Sequence, residues 1–174
     1  MTKTCQAVLR RNTDEKKDRE VTDRAEIARI LDTADILHMG LFDGAYPYVV
    51  PVHFGYEFQG DTLVFYTHSA KEGHKLDLIR STPNVCVEID CDVKTLPAEA
   101  ACAYGSTFAS VIAKGKAEIL EDPAEKAAAL KVLMKCQTGM DFPINEAMAN
   151  AVAVLKITAD EFTAKRNPGP QKKE

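Results

Sequence analysis

Between Ile36 and Thr67 the chain reads ILHMGLFDGAYPYVVPVHFGYEFQGDTLVFYT. Three runs rich in β-branched and aromatic residues, Ile36 to Phe42, Tyr46 to Tyr56 and Thr62 to Thr67, are separated by Asp43-Gly44 and Gln59-Gly60-Asp61. Such turn sequences between strand-forming runs predict three strands in an antiparallel meander. Pro47 and Pro51 remove two amides from the second run, so that strand belongs at a sheet edge or carries a bulge.

Upstream, Asp23 and Glu26 form a capping box, and Ile27, Ile30, Leu31 and Ala34 follow at helical spacing to an end near Asp35. The first twenty residues are charged and aperiodic, and read as an arm or a short edge segment. Downstream come a polar loop from His68 to Gly73, a short helix carrying Leu76 and Ile79, and a stop at Pro83. Val85, Val87, Ile89 and Cys91 alternate with polar neighbours as a half-buried strand. Asp92 to Gly105 reads as a loop or short helix, and Thr107 to Leu120 as a long strand bent at Gly115.

Asp122-Pro-Ala-Glu125 opens a helix with Leu130, Leu133 and Met134 on its buried face, and Gly139 closes it. Val152 to Ile157 makes a final strand. The tail from Arg166 to Glu174 holds prolines, a glycine and charges, and is expected to be disordered. The fold class that follows is mainly β with short helices: an antiparallel barrel of six or so strands, one domain over residues 1–165 and a tail over 166–174. No G-x-G-x-x-G follows a strand and the β-α-β alternation is absent, which excludes the usual dinucleotide-binding fold.

The composition agrees with one soluble globular unit. In 174 residues, 45% are hydrophobic and 28% charged, and 22 Lys and Arg stand against 26 Asp and Glu. A net charge of −4 argues against nucleic acid as a partner. No apolar run approaches the roughly 20 residues that span a bilayer, so no membrane partner is expected. The five cysteines are Cys5, Cys86, Cys91, Cys102 and Cys136, an odd number without a C-x-x-C pair. They read as reduced thiols in the cytoplasm. Cys136 reads as a packing residue on a helix face.

The segment most suggestive of chemistry is FYTHSAKEGHKLDLI, Phe65 to Ile79. A strand ends, a polar loop turns, and a helix begins near Gly73-His74-Lys75. Unpaired amides and the macrodipole at a helix start suit a phosphate; Thr67 and Ser69 offer hydroxyls and Lys75 a positive charge. The spacing is not a P-loop, because no Ser or Thr follows the lysine. The proline-broken run from Tyr46 to Gly55 offers a rigid apolar edge to a flat ring. Ser110 on the long strand needs a partner if buried. His38, His53, His68 and His74 are the imidazoles, and no Cys, Asp or Glu cluster at ligand spacing accompanies them, so no metal is expected.

These segments together resemble the pyridoxamine 5′-phosphate oxidase-like split-barrel family, and more closely its nitroimidazole-resistance branch. The resemblance runs from about Lys16 to Asn167. It is carried by KKDREVTD, DGAYPYVVPVHFGY, HSAKEGHKLDLI with T-P-N-V, SVIAKGKAEIL with DPAEKAAALKVLM, and TAKRN. It implies a six-stranded split β-barrel that forms a homodimer and binds FMN near the subunit interface. Tyr48, Val49, Val50, Pro51 and Val52 would lie along the isoalloxazine ring. Tyr66, Thr67, His68 and Ser69 would line the ribityl chain and phosphate, with His74 and Lys75 completing that site. Ser110 and Val111 match further flavin-contacting positions.

The implied activity is an FMN-dependent oxidoreductase reducing a small oxidant, a nitroaromatic in particular, with His68 as the candidate catalytic residue. A carrier or sensor holding flavin or haem without turnover is the alternative. Two departures stand out. Ala109 replaces a basic residue that is common before the Ser-Val pair, and no aromatic follows Phe162, which argues against vitamin B6 synthesis.

Overall fold

The computed structural model describes residues 19–169. The charged arm up to Asp18, Cys5 with it, and the tail beyond Gly169 lie outside the described residues. In chain order the elements are β1 (Glu20–Val21), α1 (Arg24–Thr33), β2 (Ile36–Asp43), β3 (Tyr46–His53), β4 (Gly55–Gln59), β5 (Thr62–Ser69), α2 (His74–Ser81) and β6 (Asn84–Leu96). A 3-10 turn (Ala101–Ala103), β7 (Gly105–Ile119), α3 (Pro123–Thr138), α4 (Glu146–Ala149) and β8 (Ala153–Asn167) complete them.

The helix starts follow their caps. Asp23 accepts from the Glu26 amide, Asp122 accepts from the Glu125 amide ahead of Pro123, and Gly139 ends α3 in the left-handed region at φ 71°. Asp122→Ala should therefore cost about 1 kcal/mol, read from a urea midpoint.

The strands form one antiparallel sheet in the order β3-β2-β6-β7-β8-β5-β4, with β1 added to β8. Eight strands replace the expected six. One core holds Met39 of β2, Val87 of β6, Val111 of β7 and Phe65 of β5, which requires the sheet to curl around it under α1 and α2. The strands β3 and β5 approach each other without pairing, so the barrel stays split. A second core lies outside the curl, where Val64, Tyr66 and Val154 meet Leu120, Ala127 and Leu130 beneath α3.

The expected meander does not form. Phe54, 1% exposed, leaves the strand and packs edge-on against Phe65 at 6.1 Å between ring centres. That break turns the run Tyr46 to Tyr56 into two strands on opposite margins of the sheet, β3 against β2 and β4 against β5. At this corner a Cβ on Gly55 would lie 2.5 Å from the Leu133 Cα, so only glycine lets α3 seat there. The strand β3 is terminal, the position that Pro47 and Pro51 demand.

Two strands run further than their alternation suggests, each through a bulge. In β6 the register shifts between Cys91 and Lys94; Asp92 adopts φ 58° and its carbonyl accepts from Thr107 Oγ1 at 2.6 Å. The strand therefore continues to Leu96, through the beginning of the stretch expected to be a loop. In β8 Asp160 is the extra residue, since Lys114 faces Glu161 while Gly115 faces Ala159. Beyond it Phe162 and Ala164 turn back to the core, and the strand reaches Asn167. Arg166 and Asn167, expected in a disordered tail, are thus strand residues opposite Ala109 and Phe108.

The far end of β8 is tied down by charge. Arg166 pairs with Glu26 and stands 3.8 Å from Asp92, while Arg29 reaches Glu26 at 3.0 Å and Asp92 at 3.5 Å. Hydrogen bonds from Arg29 and then Arg166 hold the Glu26 carboxyl down from 4.5 to about 2. A carboxyl depressed on folding stabilises fully above its unfolded value, and the contribution is lost as pH falls from about 4.5 toward 2. Arg166→Ala should lower stability at pH 7 by about 1 kcal/mol after solvent screening, and should flatten the acid limb of a stability-against-pH curve. An unchanged acid limb would mean that Glu26 is held by Arg29 alone.

Candidate functional site

At the end of β5 the chain turns through residues 70–73 and enters α2. Gly73 adopts φ 140°, a backbone that side chains with a Cβ rarely take, and no side chain caps the helix start. The first turn closes on Gly73 O from the amides of Leu76 and Asp77, which leaves the His74 and Lys75 amides without an acceptor among the described residues. Lys75 is half-buried and paired with no described carboxylate, and burial pushes its ammonium below the ordinary lysine range. Thr67 is fully buried, and its Oγ1 is the buried side-chain atom without a partner among the described residues. An orphaned hydroxyl of this kind costs about 1–3 kcal/mol unless something meets it.

The β2–β3 hairpin is latched to the same helix start. His74 Nε2 donates to Asp43 Oδ2 at 2.8 Å, and the imidazole meets the Tyr48 ring edge-on at 5.1 Å. The turn before α2 and the proline-broken edge, separate stretches of the chain, are thereby brought together, with Asp43, Tyr48 and His74 at the junction. By sequence Asp43 is only a turn residue. Its partner lies 31 residues away, a pairing that turn chemistry does not reveal.

Other expected site residues face elsewhere. Side chains alternate along β5, so Thr67 shares the inner face with Phe65 while Tyr66 and His68 share the outer one. The Tyr66 hydroxyl donates to Glu57 Oε1 at 2.7 Å, and burial and that carboxylate raise its phenol above the ordinary range. Its side chain is committed to the α3 side. Ser69 Oγ donates to the Ala70 carbonyl at 2.9 Å.

His68 stands on the rim of an apolar groove of about 260 Å³ between β5, α3 and α4, lined by Leu133, Met134, Phe142 and Met148 among others. Desolvation first, then the neighbouring His53 and Lys75, keeps its imidazole below the ordinary histidine value, so it is neutral at pH 7. His53 itself shares a hydrogen bond with Gln137 at 3.0 Å.

Along β3 the five expected residues do not present one face. Tyr48, Val50 and Val52 pack against the core, whereas Val49 and Pro51 point outward. What the five share is the strand's free edge.

Ser110 and Val111 lie on β7, separated from β3 by β2 and β6. At about 4.8 Å per strand that is roughly 14 Å. Val111 is wholly buried in the core and Ser110 points outward, so one chain does not bring this pair to the β3 edge. Ala109 is also fully buried, where a basic side chain would have to leave the core. Cys136, expected to be packed, is exposed, with its sulfur 3.8 Å from the Tyr56 carbonyl. Among the described residues, no helix is long and apolar enough to cross a membrane.

Comparison with known proteins fits this geometry. The pyridoxamine 5′-phosphate oxidase family model matches residues 23–166. A solved Bacteroides thetaiotaomicron protein named for 5-nitroimidazole antibiotic resistance is 32% identical, with 84% of this chain and 86% of that one covered and a TM-score of 0.71. The flavocytochrome Anf3 of Azotobacter vinelandii shares the fold at 23% identity, TM-score 0.71, over 91% of this chain and 75% of its own. The FAD and heme binding protein of Mycobacterium smegmatis does so at 18% identity, TM-score 0.72, over 90% and 77%. A search of curated proteins finds no significant match. With a family match over most of its length, the chain belongs to the pyridoxamine 5′-phosphate oxidase family.

Proposed function

We propose that this chain is an FMN-binding flavoprotein that works as a cytoplasmic homodimer and reduces a small neutral aromatic oxidant, with nitroimidazoles and related nitroaromatics as the candidates. The observation that carries the reading is an uncapped helix start at His74 together with a half-buried Lys75 that has no ion-pair partner among the described residues. Two amides, an ammonium and the helix macrodipole form a donor set suited to one phosphate monoester. The named function of the 32% identical relative favours a nitroimidazole.

When bound, the flavin supplies the transfer of two electrons. The residues of the chain do the rest. Lys75 and the head of α2 anchor the phosphate, and the free edge of β3, rigid at Pro47 and Pro51, orients the ring. The apolar groove beside His68 excludes water from the oxidant, and the neutral imidazole offers its ring N–H as a hydrogen-bond donor to the oxidant as it gains charge. A second copy would bring its outward-facing Ser110 toward the β3 edge; the exposed Val49 and Ile112 are apolar surface for it to cover. Cytoplasmic placement accords with the free thiols of Cys86, Cys91, Cys102 and Cys136.

A neutral histidine over a groove containing Met134 and Met148 also favours a second reading, a haem-holding carrier. The test begins with an FMN titration of the purified protein. Flavin bands shifted and held through gel filtration support the proposal, and failure to retain FMN overturns it. Reoxidation of the chemically reduced protein by a nitroaromatic then separates enzyme from carrier. In that assay His68→Gln should keep FMN and slow reoxidation about tenfold or more. A Soret band that disappears in the same variant would favour haem.

A further inference from the structure

We infer that the outward face of β2 and β6 holds a divalent transition-metal ion on His38, Glu88 and Asp90. Glu88 and Asp90 are two apart on β6 and so project from the same face, and the antiparallel register sets His38 of β2 directly opposite Glu88. His38 Nδ1 stands 3.2 Å from Glu88 Oε2, and one donor atom from each of the three residues lies within 4.8 Å of the others. Ligands bonded at roughly 2.1 Å sit up to about 4.2 Å apart, so small side-chain rotations close the set on one ion.

The donor chemistry selects the class of ion. One imidazole nitrogen with two carboxylate oxygens suits Zn²⁺, Mn²⁺ or Fe²⁺, whereas Ca²⁺ and Mg²⁺ favour oxygen alone. Two carboxylates share one small patch of a rigid sheet, and a dication would relieve their repulsion. His38 and Glu88 are only 42% and 40% exposed in their side chains, so the ion would lie partly shielded. Across the register Ile112 stands opposite Glu88 as an apolar flank, and Ser110 stands opposite Asp90 with Lys165 beyond it on β8. Three protein ligands leave coordination positions that the chain itself does not fill. A sequence scan misses the set because 50 residues separate His38 from Glu88. This inference does not rest on the flavin.

The probe is Mn²⁺, which has little affinity for the thiols of this chain. Chelator-treated full-length protein is titrated with Mn²⁺ and free ion is read by electron paramagnetic resonance; Zn²⁺ is then tested as a competitor. One Mn²⁺ per chain is expected, displaced by Zn²⁺. His38→Ala and Asp90→Asn should each weaken it about tenfold or more, and Cys86→Ser on the same face should not change it. Asp90 is exposed, so Asp90→Asn provides a folded variant should His38→Ala lose structure; circular dichroism checks both. No binding up to millimolar Mn²⁺, or equal affinity in Asp90→Asn, overturns the site.

Discussion

Gly115→Ala is expected to leave almost no folded protein at 37 °C. The residue sits where β7 and β8 shift register, with Asp160 bulged out of the ladder. A Cβ at Gly115 would run into the Thr158 carbonyl oxygen, and would lie 2.7 Å from that carbonyl carbon and 2.8 Å from the Ala159 Cα. All three obstacles are backbone, so no rotamer change relieves them. Opening the ladder would separate a pair of interior strands and expose Ala113, Ala117 and Ile157, which line the same core. Overpacking against fixed backbone should exceed about 3 kcal/mol, against a total of roughly 5–15 kcal/mol for a domain. Gly60→Ala is the control: nothing lies within 4 Å of a Cβ there, and its φ of +62° costs only about 1 kcal/mol. Urea midpoints of the two variants should differ widely. Equal midpoints would show that the β7–β8 contact at Gly115 yields.

The same bulges explain why some of the architecture could be read from residues and some could not. Helix starts are written locally: Asp23 with Glu26, and Asp122-Pro123 with Glu125, act over three residues and bind as their chemistry dictates. Pro47 and Pro51 likewise declare a margin strand without reference to partners. A bulge, by contrast, is settled between strands. Asp160 breaks the alternation of β8, so Phe162 to Asn167 reads as a different segment although it completes the core. Phe54 looks like one more strand residue until Phe65 and α3 fix the corner around it.

The candidate site divides the same way. Helix-start chemistry points to Gly73, His74 and Lys75 directly, because uncapped amides beside a lysine follow from local order. Which side Tyr66 and His68 take depends on α3 covering the outer face of β5, and that packing has no local signature. The latch from Asp43 to His74 and the pairing of His38 with Glu88 are likewise products of strand order.

Lys75→Met should weaken FMN by about 10- to 100-fold while leaving riboflavin nearly unchanged. The two ligands share the ring and ribityl chain and differ in the phosphate, so their difference isolates what the ammonium does. One charge-assisted hydrogen bond in a half-buried setting contributes about 1.5–3 kcal/mol, which converts to that range. Methionine keeps the length and apolar stem of lysine, so the packing of α2 on the barrel should survive.

The pH dependence supplies a second axis. Burial lowers the Lys75 pKa in the free protein, so its proton is lost earlier on the alkaline side than an exposed lysine would lose it. FMN affinity should fall as pH rises through that titration, riboflavin affinity should not, and Lys75→Met should abolish the difference. Isothermal titration with both ligands from about pH 7 to about pH 10, a span that reaches the ordinary lysine range, measures all three. Equal losses for FMN and riboflavin in Lys75→Met would move the phosphate away from the head of α2, and with it the ring from the β3 edge, since the Asp43–His74 latch fixes one beside the other.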